Sequence, residues 1–283
     1  MTAYIIRSTV LIFISIIAIT ETKAQDIIYE KGDSIFIEDI ITKHPAGIYD
    51  TTGERILALA KEFIGKEYVA GTLDEHNGEP LYISSNKLDC TTFVELVLAA
   101  SICKNNDFRS TCKTLELIRY RNGIRNGYTS RLHYISWWIA DPAKRHIIKE
   151  VETALHYGTQ RLHLTFMSSH PESYSHLKSD IQRTEDIAAL EKEWHGIAIR
   201  YIPKENIKDV TIKDVNNGDI IAIVTNIEGL DVSHIGFAIW HNDELHMIHA
   251  SSTEGKVIND TTPLHEYLAK RKNNSGIRIF RAF

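Results

Sequence analysis

One stretch of the chain, residues 88–102, joins a polar start directly to an apolar run, and it constrains the fold more than any other segment. From Phe93 onward its apolar residues recur at helical spacing, which predicts a buried helix. Asp89 is a good N-cap for that helix, because its carboxylate can accept hydrogen bonds from the unpaired N–H groups of the first turn. Cys90 is then the first helical residue, where the positive end of the helix dipole favours thiolate over thiol.

The chain contains three cysteines, Cys90, Cys103 and Cys112. An odd number in an oxidising compartment leaves one free thiol. Cys103 and Cys112 flank a polar turn and could close a short disulfide loop, which would leave Cys90 free; the alternative is that all three stay reduced. A free cysteine is most often a small buried residue, so a nucleophilic role for Cys90 depends on the rest of the chain.

The first 24 residues have the pattern of a bacterial export signal. Arg7 precedes an apolar run over residues 10–19, and Thr22 and Ala24 form a small-residue cleavage site. A membrane anchor is the alternative, but the apolar run is shorter than the roughly 20 residues that a membrane span needs. We therefore predict cleavage after Ala24 and a periplasmic product without a membrane anchor.

The 259 residues that remain (283 minus 24) suffice for one large domain or for one domain with a large insertion. We expect two halves of one core, residues 25–104 and 207–283, separated by an inserted lobe over 105–206 that recognises the substrate. The formal net charge is −5, or −6 without the signal, and basic runs are lacking, so nothing favours nucleic-acid binding. We expect a monomer. The spacing predicts helices over 34–42, 54–64, 93–102, 111–121, 181–194 and 262–269, and strands over 81–83, 220–224, 232–240, 245–250 and 277–282.

The strand predicted over 232–240 has two alternating faces. One face is largely apolar, and the other carries His234, Gly236 and Ala238. The two small residues leave space beside His234 for a close approach, such as that of a helix carrying a nucleophile.

A second histidine joins His234 if the hairpin turn has the right length. With a four-residue turn between Trp240 and Leu245, His249 falls opposite Gly236 and on the same face as His234. A five-residue turn would place the two histidines on opposite faces of the sheet. The predicted pairing of the two histidines therefore depends on the length of the turn.

A cysteine nucleophile needs an adjacent base, and the base needs a third group that orients it. We interpret Cys90 as the nucleophile, His234 as the base and His249 as the orienting group. The backbone N–H of Cys90 can serve as an oxyanion donor, because first-turn N–H groups lack helical partners.

Zinc is the rival interpretation of the histidine-rich C-terminal part, which also contains His241 and His246. His246 and His249 are three apart on a predicted strand, which points them to opposite faces. The chain also lacks the H-E-x-x-H pattern of zinc peptidases. We therefore expect neither a metal nor another cofactor.

Five motifs in this order resemble the NlpC-type cell-wall cysteine hydrolases: Tyr68, Leu88-Asp89-Cys90-Thr91-Thr92-Phe93-Val94, Asn217-Gly218-Asp219-Ile220, Ser233-His234-Ile235-Gly236 and His249-Ala250-Ser251. The resemblance implies an α+β, papain-like core of helices packed on an antiparallel sheet. It also implies that Cys90, His234 and His249 form a catalytic triad and that Tyr68 lines the site near the oxyanion.

Two departures from that pattern point to a narrower family. Thr91 and Thr92 replace the usual Ser-Gly after the nucleophile, and the middle of the chain is unusually long. The run from Cys90 to Glu95, together with residues 131–139, is similar to the AmiA-like N-acetylmuramoyl-L-alanine amidases. This similarity implies hydrolysis of the amide between the lactyl group of N-acetylmuramic acid and L-alanine. The implied substrate is a soluble muropeptide from peptidoglycan turnover, with a 1,6-anhydro sugar as one option.

An aromatic cluster in the middle segment suits a sugar substrate, since aromatic faces pack on the C–H faces of sugars. Tyr134, Trp137 and Trp138 are the candidate rings, and Arg131 is a candidate polar clamp. The alternative for each ring is a place in the core, because large aromatic residues are often mostly buried.

Two other functions fit the same motifs. One is cleavage of a γ-D-glutamyl-diamino-acid bond within the stem peptide, which is the commoner activity of the wider family. The other is non-catalytic muropeptide binding, which has less support because a protein that only binds has no need of all three triad positions.

Overall fold

A computed structural model describes residues 27–152, 157–208 and 214–283. The predicted export signal lies outside these residues. In the part of the chain that is described, helices and strands combine in an α+β arrangement, as predicted. No helix within these ranges is long and apolar enough to cross a membrane.

The helices are α1 (Lys31–Lys43), α2 (Thr52–Glu62), α3 (Cys90–Ile102), α4 (Phe108–Arg119), α5 (Ile135–Lys144), α6 (Phe166–Ser169), α7 (Ile181–Lys192) and α8 (Leu264–Ala269). The strands are β1 (Ile27–Ile28), β2 (Glu67–Tyr68), β3 (Leu81–Tyr82), β4 (Lys87–Leu88), β5 (Ile148–Glu150), β6 (Gly158–Arg161), β7 (Ala198–Pro203), β8 (Ile220–Thr225), β9 (Val232–His241), β10 (Glu244–Ser251), β11 (Lys256–Asn259) and β12 (Asn274–Ala282). Every helix predicted from spacing is present, with ends that differ by a few residues. The helix α5 was not predicted.

Ten of the described strands form one sheet in the order β4-β2-β11-β10-β9-β8-β12-β7-β6, and β5 also pairs with β12. The pairs that link β11 through β7 are all antiparallel. The strands β1 and β3 form a separate parallel pair. The predicted meander of the C-terminal part is thus the centre of the sheet.

Apolar layers cover both faces of the sheet, and α3 and α8 lie on opposite sides. The helix α3 packs through Phe93, whose ring lies 5.6 Å from that of Phe237 at a steep angle. It therefore covers the face of β9 that carries Ile235 and Phe237. The expectation that a nucleophile helix would approach over Gly236 and Ala238 is wrong, because burial of the large apolar side chains selects the other face.

The segment 105–206 is built into the same sheet and core. Its strands β5 and β7 pair with β12, and β6 pairs with β7. Most of its buried apolar side chains join the cluster that contains α3, and Val151 and Ile202 join the cluster on the other face of the sheet. These residues extend the core, and a separate role for them in substrate recognition stays a prediction.

The hairpin of β9 and β10 has the register on which the histidine pairing depends. Leu245 pairs with Trp240, and Glu244 pairs with His241. Asn242 and Asp243 connect the strands with φ angles of 48° and 64°, as in a type I′ turn. The four-residue turn is therefore confirmed.

All three cysteines are free thiols. Cys103 and Cys112 are buried, and Sγ of Cys103 donates to the carbonyl oxygen of Ala100 at 3.4 Å. The short disulfide loop is not formed in this structure.

Candidate active site

The start of α3 is held by a reciprocal cap. The backbone N–H of Thr92 donates to Oδ1 of Asp89 at 2.7 Å, and the N–H of Asp89 donates to Oγ1 of Thr92 at 2.9 Å. The predicted N-cap is confirmed. The arrangement explains a threonine at position 92, because its hydroxyl supplies the second half of the capping box.

Cys90 is the first residue of α3 and lies against the backbone of β9. A backbone hydrogen bond from Ile235, the residue after His234, reaches its thiol, and Oγ1 of Thr91 lies 4.0 Å away. Burial and the neighbouring Asp89 carboxylate raise the pKa of the Cys90 thiol to about 12. The helix dipole was predicted to favour the thiolate, but desolvation of the charged form outweighs it, so the thiol form predominates.

His234 and His249 lie side by side as the hairpin register predicts. Nε2 of His234 is 2.7 Å from Nδ1 of His249, and the ring planes are nearly perpendicular at 87°. Burial, His249 and the positive charge of Arg271 lower the pKa of His234 to about 3. The imidazole of His234 is therefore neutral over the physiological range.

Asp260 adds a fourth member that was not predicted. Its Oδ2 lies 3.4 Å from Nε2 of His249, and its Oδ1 accepts from the backbone N–H of Thr262 at 2.8 Å. Burial acts to raise the pKa of Asp260, but the hydrogen bonds from His249 and Thr262 outweigh it and lower the pKa to about 2. An aspartate followed two residues later by a threonine is typical of an Asx turn, which was the available sequence signal.

These contacts determine which nitrogen atoms carry protons in the hydrogen-bonded row of Asp260, His249 and His234. The Asp260 carboxylate can only accept, so Nε2 of His249 carries a proton and Nδ1 of His249 does not. Nε2 of His234 then donates to Nδ1 of His249. Nδ1 of His234 is left without a proton and is the nitrogen available to act as a base.

Two tyrosines complete the site. The Tyr267 ring of α8 lies 6.4 Å from His234 and 5.7 Å from His249 between ring centroids, and this residue was not predicted. Tyr68 is partly buried, and burial and the nearby Cys90 raise the pKa of its hydroxyl to about 12. Tyr68 therefore lies near Cys90, and the implied position of its hydroxyl near an oxyanion stays a prediction.

The candidate sugar platform lies in the interior. Trp137 and Trp138 are each 1% exposed, and the hydroxyl of buried Tyr134 donates to Glu191 at 2.6 Å. Arg131 is buried and paired with Asp74 at 2.5 Å. The prediction that these four side chains contact the substrate is wrong, because all four are buried. The rings pack in the core, and the guanidinium of Arg131 is already neutralised by a carboxylate.

Among the described residues, no group of three or more His, Cys, Asp or Glu side chains is arranged to hold a metal. His246 points away from His249 and its Nδ1 lies 3.1 Å from the carbonyl oxygen of Asp260. The two histidines of β10 thus contact different atoms of Asp260, because Nε2 of His249 lies 3.4 Å from its side-chain Oδ2.

The sequence matches the family described as AmiA-like, N-acetylmuramoyl-L-alanine amidase-like, over residues 58–277. The chain belongs to this AmiA-like family. The matched range contains Cys90, His234, His249 and Asp260. Membership supports a muramoyl-L-alanine amidase kind of function, and hence a hydrolase that acts on amide bonds of a peptidoglycan-derived substrate.

Solved structures similar to the chain include one that is named as an amidase of this kind. An N-acetylmuramoyl-L-alanine amidase from Bacteroides uniformis is 36% identical, with a TM-score of 0.79 over 82% of this chain and 99% of its own. A Bacteroides fragilis protein provisionally named a xylanase is 40% identical, with a TM-score of 0.76 over 80% of this chain and 99% of its own. A Legionella pneumophila protein, 24% identical with a TM-score of 0.68 over 88% of this chain and 94% of its own, shares the fold. No functionally curated protein matches the chain.

Proposed function

We propose that the protein is a cysteine-dependent N-acetylmuramoyl-L-alanine amidase that hydrolyses the lactyl–L-Ala amide of soluble muropeptides in peptidoglycan turnover. The observation that carries the proposal is the hydrogen-bonded row from Asp260 through His249 to His234, the residue before Ile235, whose backbone hydrogen bond reaches the Cys90 thiol. Family membership and the amidase-named relatives support the choice of bond.

The reaction begins from a neutral pair, since the pKa of Cys90 is raised to about 12 and that of His234 is lowered to about 3. Nδ1 of His234 takes the thiol proton as Sγ of Cys90 attacks the lactyl carbonyl carbon. The charge that develops on His234 is stabilised through His249 by the Asp260 carboxylate. The reacting pair therefore becomes charged only when the substrate is in place.

The tetrahedral intermediate collapses by breaking the carbon–nitrogen bond. The imidazolium of His234 gives its proton to the leaving amine of L-alanine, and the lactyl group remains on Cys90 as a thioester. His234 then activates water, which hydrolyses the thioester and restores the thiol. The N–H of Cys90, at the first position of α3, is the oxyanion donor, and the Tyr68 hydroxyl lines the same side.

The proposal includes a papain-like, NlpC-type core and export to the periplasm through residues 1–24. The order of nucleophile helix and histidine strand supports the first. The composition of the leader and the extracytoplasmic location of peptidoglycan support the second.

Other activities have weaker support. Cleavage of a γ-D-glutamyl bond within the stem uses the same triad, so product analysis must separate it from the amidase. Xylan hydrolysis needs two carboxyl groups flanking one bond. In the described part of the site the carboxylate next to the histidines, Asp260, is engaged by His249 and Thr262.

Mass spectrometry of the products from a purified disaccharide-tetrapeptide tests the proposal, with wild type and Cys90→Ala in parallel. We expect free disaccharide plus intact tetrapeptide, and loss of both products in the variant. A shortened peptide on the sugar would show the endopeptidase instead. Binding without any turnover by wild type would show a binding protein.

A further inference from the structure

A groove of about 620 Å³ lies beside the catalytic row, on the side of α8. Asp260 and Tyr267 form part of its wall, together with Lys270 and Arg271. The groove therefore adjoins the proposed active site through Asp260, which lies beside His249, and through Tyr267, whose ring lies beside His234.

Arg271 is held in the groove by contacts that do not neutralise its positive charge. Its guanidinium lies 3.5 Å from the centre of the Tyr267 ring, and its Nη1 donates to the carbonyl oxygen of Tyr267 at 3.0 Å. No carboxylate of the described ranges forms an ion pair with it. By contrast, Arg119 and Arg281 each pair with a carboxylate at 2.7 Å. A planar donor in a fixed orientation without an anion is suited to a ligand carboxylate.

The charges around the groove favour an anion. Lys256 and Lys270 line it in addition to Arg271. Of its acids, Asp260 is engaged by His249 and Thr262, which leaves Glu254 as the opposing charge. Arg271 is also close enough to the reacting centre for its charge to act on His234.

The proposed substrate carries its free carboxylates in one part. The lactyl carboxyl of the sugar is consumed in the scissile amide, so every remaining carboxylate belongs to the stem peptide. The nearest is the α-carboxylate of the D-glutamyl residue, which is free because that residue continues the chain through its γ-carboxyl. It lies one residue beyond the L-alanine that leaves.

We propose that Arg271 is a specificity-determining residue that binds the α-carboxylate of the D-glutamyl residue, so that the groove holds the stem peptide. This role rests on the proposed amidase function. It predicts that the protein prefers stems with a free α-carboxylate to stems in which this group is amidated.

Two disaccharide-tetrapeptides that differ only at this group, free acid and carboxamide, test the role. For wild type we expect kcat/KM to be about 10- to 100-fold higher for the acid, as for loss of one charge-assisted hydrogen bond. Arg271→Gln should remove this preference, because it slows the acid about 10- to 100-fold more than it slows the amide. Lys272→Gln, which changes an exposed lysine next to Arg271 that does not line the groove, should keep the preference and is the matched control.

An equal loss on both substrates would overturn the proposal, because Arg271 would then act only by tuning His234. A preference that persists in Arg271→Gln would overturn it as well. Calorimetry can measure the same preference without cleavage. It compares the affinities of the two muropeptides for Cys90→Ala, with and without the additional substitution Arg271→Gln. If wild type releases no disaccharide, the amidase proposal fails, and the binding ratio still decides whether Arg271 recognises the carboxylate.

Discussion

Gly236 and His249 pack against each other across the β9–β10 hairpin, and a Cβ added to Gly236 would lie 2.9 Å from Cβ of His249. The same atom would lie 3.0 Å from the carbonyl oxygen of Ile248. Glycine at position 236 therefore allows strand β9, which carries His234, to approach the side chain of His249 closely. This contact links the Ser-His-Ile-Gly motif to the catalytic geometry.

Gly236→Ala should displace His249 while preserving the fold. A shift of about 1 Å in a catalytic group can cost about 100-fold in rate, so we expect kcat to fall by 10- to 100-fold. Gly47→Ala is the control, because no atom lies within 4 Å of its added Cβ. Steady-state kinetics and thermal unfolding measure the two effects, and a variant with unchanged kcat would show that the contact does not position His249.

Asp260→Asn should disturb the proton assignment along the histidine row. The amide can donate to Nε2 of His249, which would favour the wrong tautomer, and we expect kcat/KM to fall by about 100- to 10,000-fold. Asp243→Asn, in the exposed hairpin turn with φ of 64°, makes the same chemical change away from the site and should have full activity. Equal activity of the two variants would exclude a role for Asp260.

The buried histidine predicts how stability depends on pH. His234 has a folded-state pKa of about 3, below its unfolded value of about 6.5, so the unfolded chain binds more protons between these limits. The contribution of His234 to the free energy of unfolding is complete above pH 6.5 and is lost as the pH falls toward 3. Asp260, with a pKa of about 2, adds a contribution that is lost below about pH 4.

We therefore expect the free energy of unfolding in urea to decrease by roughly 2–4 kcal/mol from pH 7 to pH 4, with His234 as a main source. The His234→Gln variant should show a flatter pH dependence over the same range. Parallel curves for wild type and variant would contradict the assigned pKa of His234.

A buried ion pair connects α3, the helix that begins at Cys90, to α4. Nε of Arg119 lies 2.7 Å from Oε2 of Glu95, and each side chain is 3% exposed. Arg119→Met leaves the Glu95 carboxyl buried without a partner, which should cost about 3–5 kcal/mol of unfolding free energy. Arg183→Met removes an exposed pair and should cost at most about 1 kcal/mol. Urea denaturation compares them, and similar losses would contradict the buried-pair interpretation.

Features that depend on neighbours in the chain were predictable. The cap at Asp89 involves a residue three positions away, and the register of His234 and His249 depends on a short turn. Both contacts depend on residues that are close in the sequence, so spacing and residue type are enough to predict these two features. Asp260 was missed because nothing local shows that its carboxylate meets a histidine eleven residues earlier.

The sequence by itself determined the α+β character, the capped helix that begins at Cys90 and the pairing of the two histidines, because each follows from local hydrogen bonding or from strand alternation. Only the tertiary structure decided that Trp137 is core, that Arg271 forms no ion pair with a carboxylate among the described residues and that burial keeps Cys90 as a thiol. Burial, charge pairing and pKa depend on which distant segments exclude water from a side chain, and that property belongs to the packed molecule.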